Sequence, residues 1–230
     1  MSENESTLMS DREAKEAIVE IGRRIYNKGF VASNDGNISV KVGENELWAT
    51  PTGVSKGFMT PEMLVKLDMD GTVLEGDCRP SCEIKMHLRV FRENPSVAAV
   101  VHAHPMMATA YAIAGRPLDR PIITEGVLQL GVVPLAPYAT PSTEEVPDSI
   151  APYCKDYNAV LLANHGALTW GKDILEAWRR MESVEYYASI MMITEKVLGE
   201  SRELTKEQIE RLVAIRESMG IMTGGVPSGT

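Results

Sequence analysis

Hydrophobic positions change period several times along the chain, and each period predicts an element. Behind Ser10-x-x-Glu13, a capping box, Ala14, Ala17, Ile18, Ile21 and Ile25 recur at helical spacing, and Gly29 closes the run. From Asn37 the period drops to two: Ile38, Val40 and Val42 alternate with polar residues. Gly43-Glu44-Asn45 then turns the chain into a second strand over 46–50. The glycine- and hydroxyl-rich stretch TPTGVSKG follows, and Thr60-Pro61 opens a short helix. Asp70-Gly71 is a hairpin turn between strands at 65–69 and 72–75. A helix is predicted from Pro80-Ser81 to about 93, and a buried strand over 96–104, where Val97 to Val101 is uninterruptedly apolar. A helix follows Pro105, and the proline-rich stretch 116–143 reads as loops with short strands. A helix over 143–153, an apolar strand over 158–164, a partner strand over 167–170, a long helix over 172–198 and a last helix over 205–218 complete the chain. These elements predict one α/β domain over 1–230 with a mixed, partly antiparallel sheet and flexible tails at 1–9 and about 219–230.

Composition narrows the partners. The chain has 230 residues, 44% hydrophobic and 24% charged, enough to bury a core. Its 23 Lys and Arg against 32 Asp and Glu give a net charge of -9. That balance works against nucleic acid and anionic membranes as partners, yet leaves room for a small phosphorylated ligand. Three cysteines, 78, 82 and 154, make no disulfide framework, and the C-x3-C spacing fits neither a zinc knuckle nor a redox motif. The acidic N-terminus is no signal peptide, and the most apolar window, 96–115, holds two His and a Pro; a reduced cytoplasmic protein is expected.

The strongest chemical signal is AAVVHAHP. Strand alternation places His102 and His104 on one face, roughly 7 Å apart at Cα, where an apolar run gives way to proline. An H-x-H pair at a strand end equally suits ordinary hydrogen bonding. His165 in LLANHG repeats the context, again at the exit of an apolar strand. Three of the four histidines at strand exits suggest one shared site with three protein ligands and an open position, against the alternative of a core His165 capped by a backbone group. Glu83, in the first turn of its predicted helix, is either a surface residue supporting the helix start or a carboxylate facing that site. His87, one turn on, reads as a half-buried helix histidine. Thr50-Pro51-Thr52-Gly53 and Ser81-Cys82 look like phosphate cradles, and the segment Ser33 to Asn37 adds an amide, although turns and caps use the same residues.

Taken in order, GNISV, TPTG, PSCE, VVHAHP, APYAT and NHG resemble the class II aldolase/adducin family, most nearly its zinc-dependent L-fuculose-1-phosphate aldolase branch, over residues 11–198. The resemblance implies a three-layer α/β/α fold with a central, largely antiparallel sheet, and a homotetramer with active sites near subunit interfaces. It implies that His102, His104 and His165 hold Zn2+, with Mn2+ or Co2+ as alternatives, and that Glu83 is the catalytic acid/base and an additional ligand in the empty site. It further implies that Gly36 and Asn37, Thr52 and Gly53, and Ser81 and Cys82 bind a substrate phosphate, and it gives His87 no ligand role. The reaction implied is reversible cleavage of a small ketose 1-phosphate, such as L-fuculose 1-phosphate, into dihydroxyacetone phosphate and an aldehyde such as L-lactaldehyde. Zinc as a Lewis acid would stabilise the enediolate, and Glu83 would protonate its carbon.

Three departures bear on the substrate. Cys82 replaces the second phosphate-site serine with a weaker donor. The loop PIITEGVLQLG lacks the family's tyrosine, leaving Glu125 as the acidic group there, and no tyrosine follows Tyr187. Epimerases, dehydratases and decarboxylases of the family share the histidine triad, so they stand as alternatives. The related 4-epimerases usually place Asp where Glu83 stands. A non-catalytic, adducin-like module would need none of these four residues.

Overall fold

The structure, a computed structural model, describes residues 8–228. Among these described residues eight strands form one sheet in the order β4-β3-β2-β1-β5-β8-β7-β6. They are β1 (Asn37–Lys41), β2 (Glu46–Ala49), β3 (Val65–Asp68), β4 (Val73–Glu75), β5 (Ala99–Ala103), β6 (Leu135–Ala136), β7 (Ala159–Leu162) and β8 (Gly166–Gly171). Every pairing is antiparallel except β6 with β7. Among the described residues seven α-helices accompany them: α1 (Asp11–Asn27), α2 (Ile84–Glu93), α3 (Met106–Ile113), α4 (Thr124–Gln129), α5 (Glu145–Ile150), α6 (Ile174–Met192) and α7 (Lys206–Ser218).

Strand alternation divides the interior into two cores, one on each face of the sheet. Ile38, Val40, Ala99, Val101 and Leu161 point to one face, where they meet Ile18 and Ile21 of α1, Tyr111 of α3 and Trp178 and Met181 of α6. Leu47, Val100, Val160, Leu168 and Trp170 point to the other, against Leu88 and Phe91 of α2 and Val146 and Ile150 of α5. Each fully buried aliphatic side chain contributes about 1.5–3 kcal/mol, so both helical layers are held mainly by apolar burial. The result is the expected three-layer arrangement with a largely antiparallel sheet.

Local signals set several boundaries as read. Ser10 and Glu13 form the reciprocal capping box at the start of α1, and the hairpin turns at Asp70-Gly71. Elsewhere tertiary contacts moved the elements. The helix expected from Ser81 begins only at Ile84, because Pro80 is held in a bridge with Pro51 and the Ser81 amide donates to Thr50 O. Glu83 is therefore the N-cap residue and not part of the first turn. The loop region 116–143 contains an unforeseen helix, α4, whose Gly126 packs against Tyr187. The helix expected over 143–153 is α5 followed by a 3-10 turn, Ala151–Tyr153.

Residues 1–7 of the expected N-terminal tail lie outside the described residues. Of the other expected tail, residues 229–230 also lie outside the described residues, and the rest makes backbone contacts. Gly224 N–H donates to Asp156 O, Val132 N–H donates to Gly224 O, and the Arg216 guanidinium donates to Gly225 O. The backbone after α7 is thus tied back across the β6–β7 end. Among the described residues no helix is long and apolar enough to cross a membrane.

Candidate active site

Residues from four separate stretches converge at one end of the two central strands. His102 lies on β5 directly opposite Asn37 of β1, and both are buried. His104 follows the strand end and is fixed through its backbone N–H to Phe30 O. The next helix, α3, has no side-chain cap of its own. The Glu185 carboxylate on α6 accepts from the N–H groups of Met107 and Ala108 instead, which anchors the chain just beyond His104.

His165 sits in the β7–β8 turn, where Asn164 adopts a left-handed conformation at φ 59. Asparagine tolerates that region better than most residues. Gly166 comes next because space demands it: a Cβ there would lie 2.6 Å from both Ala103 O and His104 Cδ2.

The three imidazole rings are mutually 4.7–5.0 Å apart between centroids. Their ligating nitrogens all lie within 4.8 Å of one another. His102 Nδ1–H donates to Ala167 O at 2.9 Å, so the lone pair of neutral His102 is on Nε2, which faces the cluster. His104 Nε2 stands 3.1 Å from it, while His104 Nδ1 faces Asp35 Oδ2 at 3.6 Å. His165 Nε2 is 3.1 Å from Glu83 Oε1. A carboxylate oxygen only accepts, so that contact calls for a proton or a cation between the two atoms.

Burial holds the His102 imidazole well below its ordinary pKa, and burial together with the neighbouring His165 lowers that of His104. Both rings are thereby neutral at neutral pH, the form that ligates metal. Burial works against charge on Glu83, but the His102 imidazole and hydrogen bonds from His165 and Asn37 outweigh it and keep the carboxyl below its usual range. Nitrogens bound to a tetrahedral zinc at 2.0–2.1 Å are about 3.3 Å apart, so small side-chain adjustments bring this set onto one ion. Charge state, tautomer and spacing all fit a divalent cation.

Beside the cluster opens a cavity of about 210 Å³, lined by Gly36, Asn37, Thr52, Gly53, Ser81, Cys82, Glu83, His104 and His165, with Asp35 and Lys56. All three pairs expected as phosphate contacts therefore meet there. Asn37 Nδ2 donates to Glu83 Oε2 at 2.8 Å and to Ser81 Oγ at 3.2 Å. Ser81 Oγ also accepts from the Glu83 N–H at 3.3 Å. Gly36, at φ 74, could carry no side chain, since a Cβ would meet His102 O at 2.8 Å. Cys82 is exposed at the rim.

His87 is fully buried on α2, its Nδ1 2.7 Å from Ser39 Oγ, and is absent from the cavity wall. Burial drives its pKa down to about 3. Glu125 is exposed and bonded to the Thr124 hydroxyl, and it does not line the cavity. Lys56 was not singled out from sequence, because a lysine in a glycine-rich loop reads as solvated; in the structure it is almost wholly buried. A larger groove, lined by Trp170, Arg179 and Met222 among others, holds none of the clustered histidines.

Comparison with known proteins agrees with this geometry. The family model described as "Class II Aldolase and Adducin N-terminal domain" matches residues 16–192. The chain is 34% identical over 208 residues to a 3-oxo-tetronate 4-phosphate decarboxylase of Escherichia coli O6:H1, covering 88% of this chain and 96% of that one. It is 34% identical, also over 208 residues, to a 5-deoxy-D-ribulose 1-phosphate aldolase of Bacillus thuringiensis, covering 90% and 96%. A solved L-fuculose 1-phosphate aldolase superposes with a TM-score of 0.83 at 30% identity, covering 94% of this chain and 99% of that one. The histidine cluster, its flanking motifs and the three-layer fold thus belong together: this chain is a member of the class II aldolase and adducin family.

Proposed function

We propose that the chain is a divalent-metal-dependent lyase that decarboxylates a small 3-oxo sugar acid carrying a terminal phosphate. The observation that carries this reading is one cavity and the cluster at its wall: His104, His165 and Glu83 line it beside a cradle of hydroxyl and amide donors, His102 completes the imidazole cluster behind them, and no tyrosine is among its described lining residues. Aldol cleavage requires a second group to take the proton from the hydroxyl that becomes the aldehyde. Loss of carbon dioxide requires none. The absent loop and tail tyrosines and the outlying Glu125 therefore favour decarboxylation, as does the likeness to the decarboxylase.

His102, His104 and His165 would hold the metal, with Glu83 as a further ligand before substrate arrives. When bound, a divalent cation supplies positive charge that stabilises an enediolate, worth several kcal/mol. Neutral imidazoles leave that charge undiminished and suit zinc, with manganese or cobalt as substitutes. Gly36, Asn37, Thr52, Gly53, Ser81 and Cys82 would hold the phosphate and so fix the reacting carbons against Glu83.

For 3-oxo-tetronate 4-phosphate the bond between C1 and C2 breaks, and its electron pair moves onto C2 and the C3 carbonyl. Carbon dioxide departs. Glu83 starts ionised, and negative charge developing beside it raises its affinity for a proton. It takes that proton from water and passes it to C2, giving dihydroxyacetone phosphate. Such a positioned transfer is worth roughly 10²–10⁴-fold.

A ketose 1-phosphate would reach the same enediolate by losing an aldehyde. Aldolase activity is therefore the second reading, supported by the equal identity to the Bacillus aldolase. Product analysis separates them. Metal-loaded protein given 3-oxo-tetronate 4-phosphate should release carbon dioxide and dihydroxyacetone phosphate in equal amounts. Turnover confined to ketose 1-phosphates, with an aldehyde and no carbon dioxide, would establish the aldolase instead. Epimer formation without dihydroxyacetone phosphate would eliminate both. Apolar side chains left exposed on α3 and just after α6, including Met106, Ile113 and Val197, support the homotetramer that the family resemblance implies, which sedimentation would test.

A further inference from the structure

Lys56 is 1% exposed, yet among the described residues it makes no ion pair. Its Nζ donates to two backbone carbonyls, Asn34 O at 2.9 Å and Val54 O at 2.7 Å. An ammonium has three donors, so one remains. The two acids lining the same cavity, Asp35 and Glu83, face His104 and His165 instead. A buried charge without a counter-charge is costly and is retained where something repays it. Here Asp35 and Glu83 act on it only from beyond ion-pair distance, and Lys56 lines the cavity that holds the three donor pairs.

We propose that Lys56 is the cation that binds the phosphate group of the substrate. This rests on reading the cavity as a site for a phosphorylated substrate, and it adds a residue to that site. The two carbonyls gripping Nζ belong to the segments that carry Gly36-Asn37 and Thr52-Gly53, so the ammonium lies between two of the three donor pairs. Among the described lining residues it is the one lysine or arginine. A dianion held by neutral donors alone, with Asp35 and Glu83 nearby, would be electrostatically opposed. Lys56 offsets that opposition, and the dianion pairs the buried ammonium. Burial lowers the pKa of Lys56 to about 8, with Asp35 and Glu83 partly countering.

Titration calorimetry with inorganic phosphate on the metal-loaded, full-length protein tests this. Wild type should bind saturably at pH 7.5, and Lys56→Met should bind at least tenfold more weakly. The absorption of bound cobalt should be the same in both, showing an intact histidine cluster. Equal phosphate affinity in the two proteins would overturn the role of Lys56 while leaving the cradle standing. No phosphate binding by wild type would remove the cradle and the proposal together. Should Lys56→Met be insoluble or alter the cobalt spectrum, wild type at pH 8.5 decides, in two buffers of different ionisation heat. Net proton uptake with phosphate is expected, and binding without it would overturn the proposal.

Discussion

Asn37 and His102 are register partners across β1 and β5, and Asn37 Nδ2 reaches from that position to Glu83 Oε2 at 2.8 Å. The pairing fixes an amide donor between the imidazole cluster and the carboxylate at the start of α2. Asn37→Ala should therefore free Glu83 while leaving the sheet pairing intact. Outer partners of this kind are worth about 10–100-fold in activity or metal affinity. Steady-state turnover alongside metal content would check it; unchanged values of both would show that Glu83 is held by other means.

Glu83 and His104 should separate chemistry from metal retention. Glu83→Gln keeps the shape but cannot ionise, so turnover is expected to fall by roughly 10²–10⁴-fold with the metal retained. His104→Ala should lose both metal and turnover. Elemental analysis of the two purified variants, with rates measured in parallel, distinguishes the roles. A fully active His104→Ala would refute the imidazole cluster as the site.

Gly166→Ala tests the packing that aims His104. The added methyl would approach the His104 ring and the Ala103 carbonyl to 2.6 Å each, and backbone cannot yield cheaply. Overpacking of this kind costs about 1–3 kcal/mol, and here the displacement falls on a ligating ring. A lower urea midpoint together with weaker metal uptake is expected. Normal metal affinity would mean that the turn relaxes without disturbing the cluster.

Lys56 should also leave a signature in stability against pH. Its folded pKa, about 8, lies below its ordinary 10.5 because burial disfavours the charged form. Between those values the unfolded chain binds more protons than the folded one, so stability rises with pH across that interval. The penalty is fully present below about 8 and amounts to roughly 3 kcal/mol from the size of the shift. Wild type should therefore gain on Lys56→Met as pH increases from 8 to 10. Urea midpoints of the two proteins measured at pH 7, 8 and 10 would reveal a constant difference if the residue carries no such linkage.

Much of the fold was written in short-range pattern. Alternation around Ile38 and Val40, the apolar runs before His102 and His165, and the Ser10–Glu13 box each depend on residues a few positions apart. Steric and hydrogen-bonding rules act at that range, so strands, turns and the helix start could be read directly. The same alternation put His102 and His104 on one face, and the strand exits marked where chemistry would gather. The family motifs also named the donor pairs that line the cavity.

What the local pattern could not hold was burial created by distant partners. Asn37 and Ser39 are the polar positions that alternate with Ile38 and Val40 along β1. α2 covers their face, and Asn37 bonds Glu83 46 residues away while Ser39 bonds His87 48 residues away. Glu83 became an N-cap because Pro80 pairs with Pro51 across the chain. Lys56 became a buried ammonium because two loops close over it. A side chain's solvation, and with it its charge and chemistry, is set by whatever packs against it in three dimensions. The chain alone therefore determined most of the elements and which histidines stand at strand exits; tertiary packing decided the remaining boundaries, α4, and which polar groups lost water and faced one another.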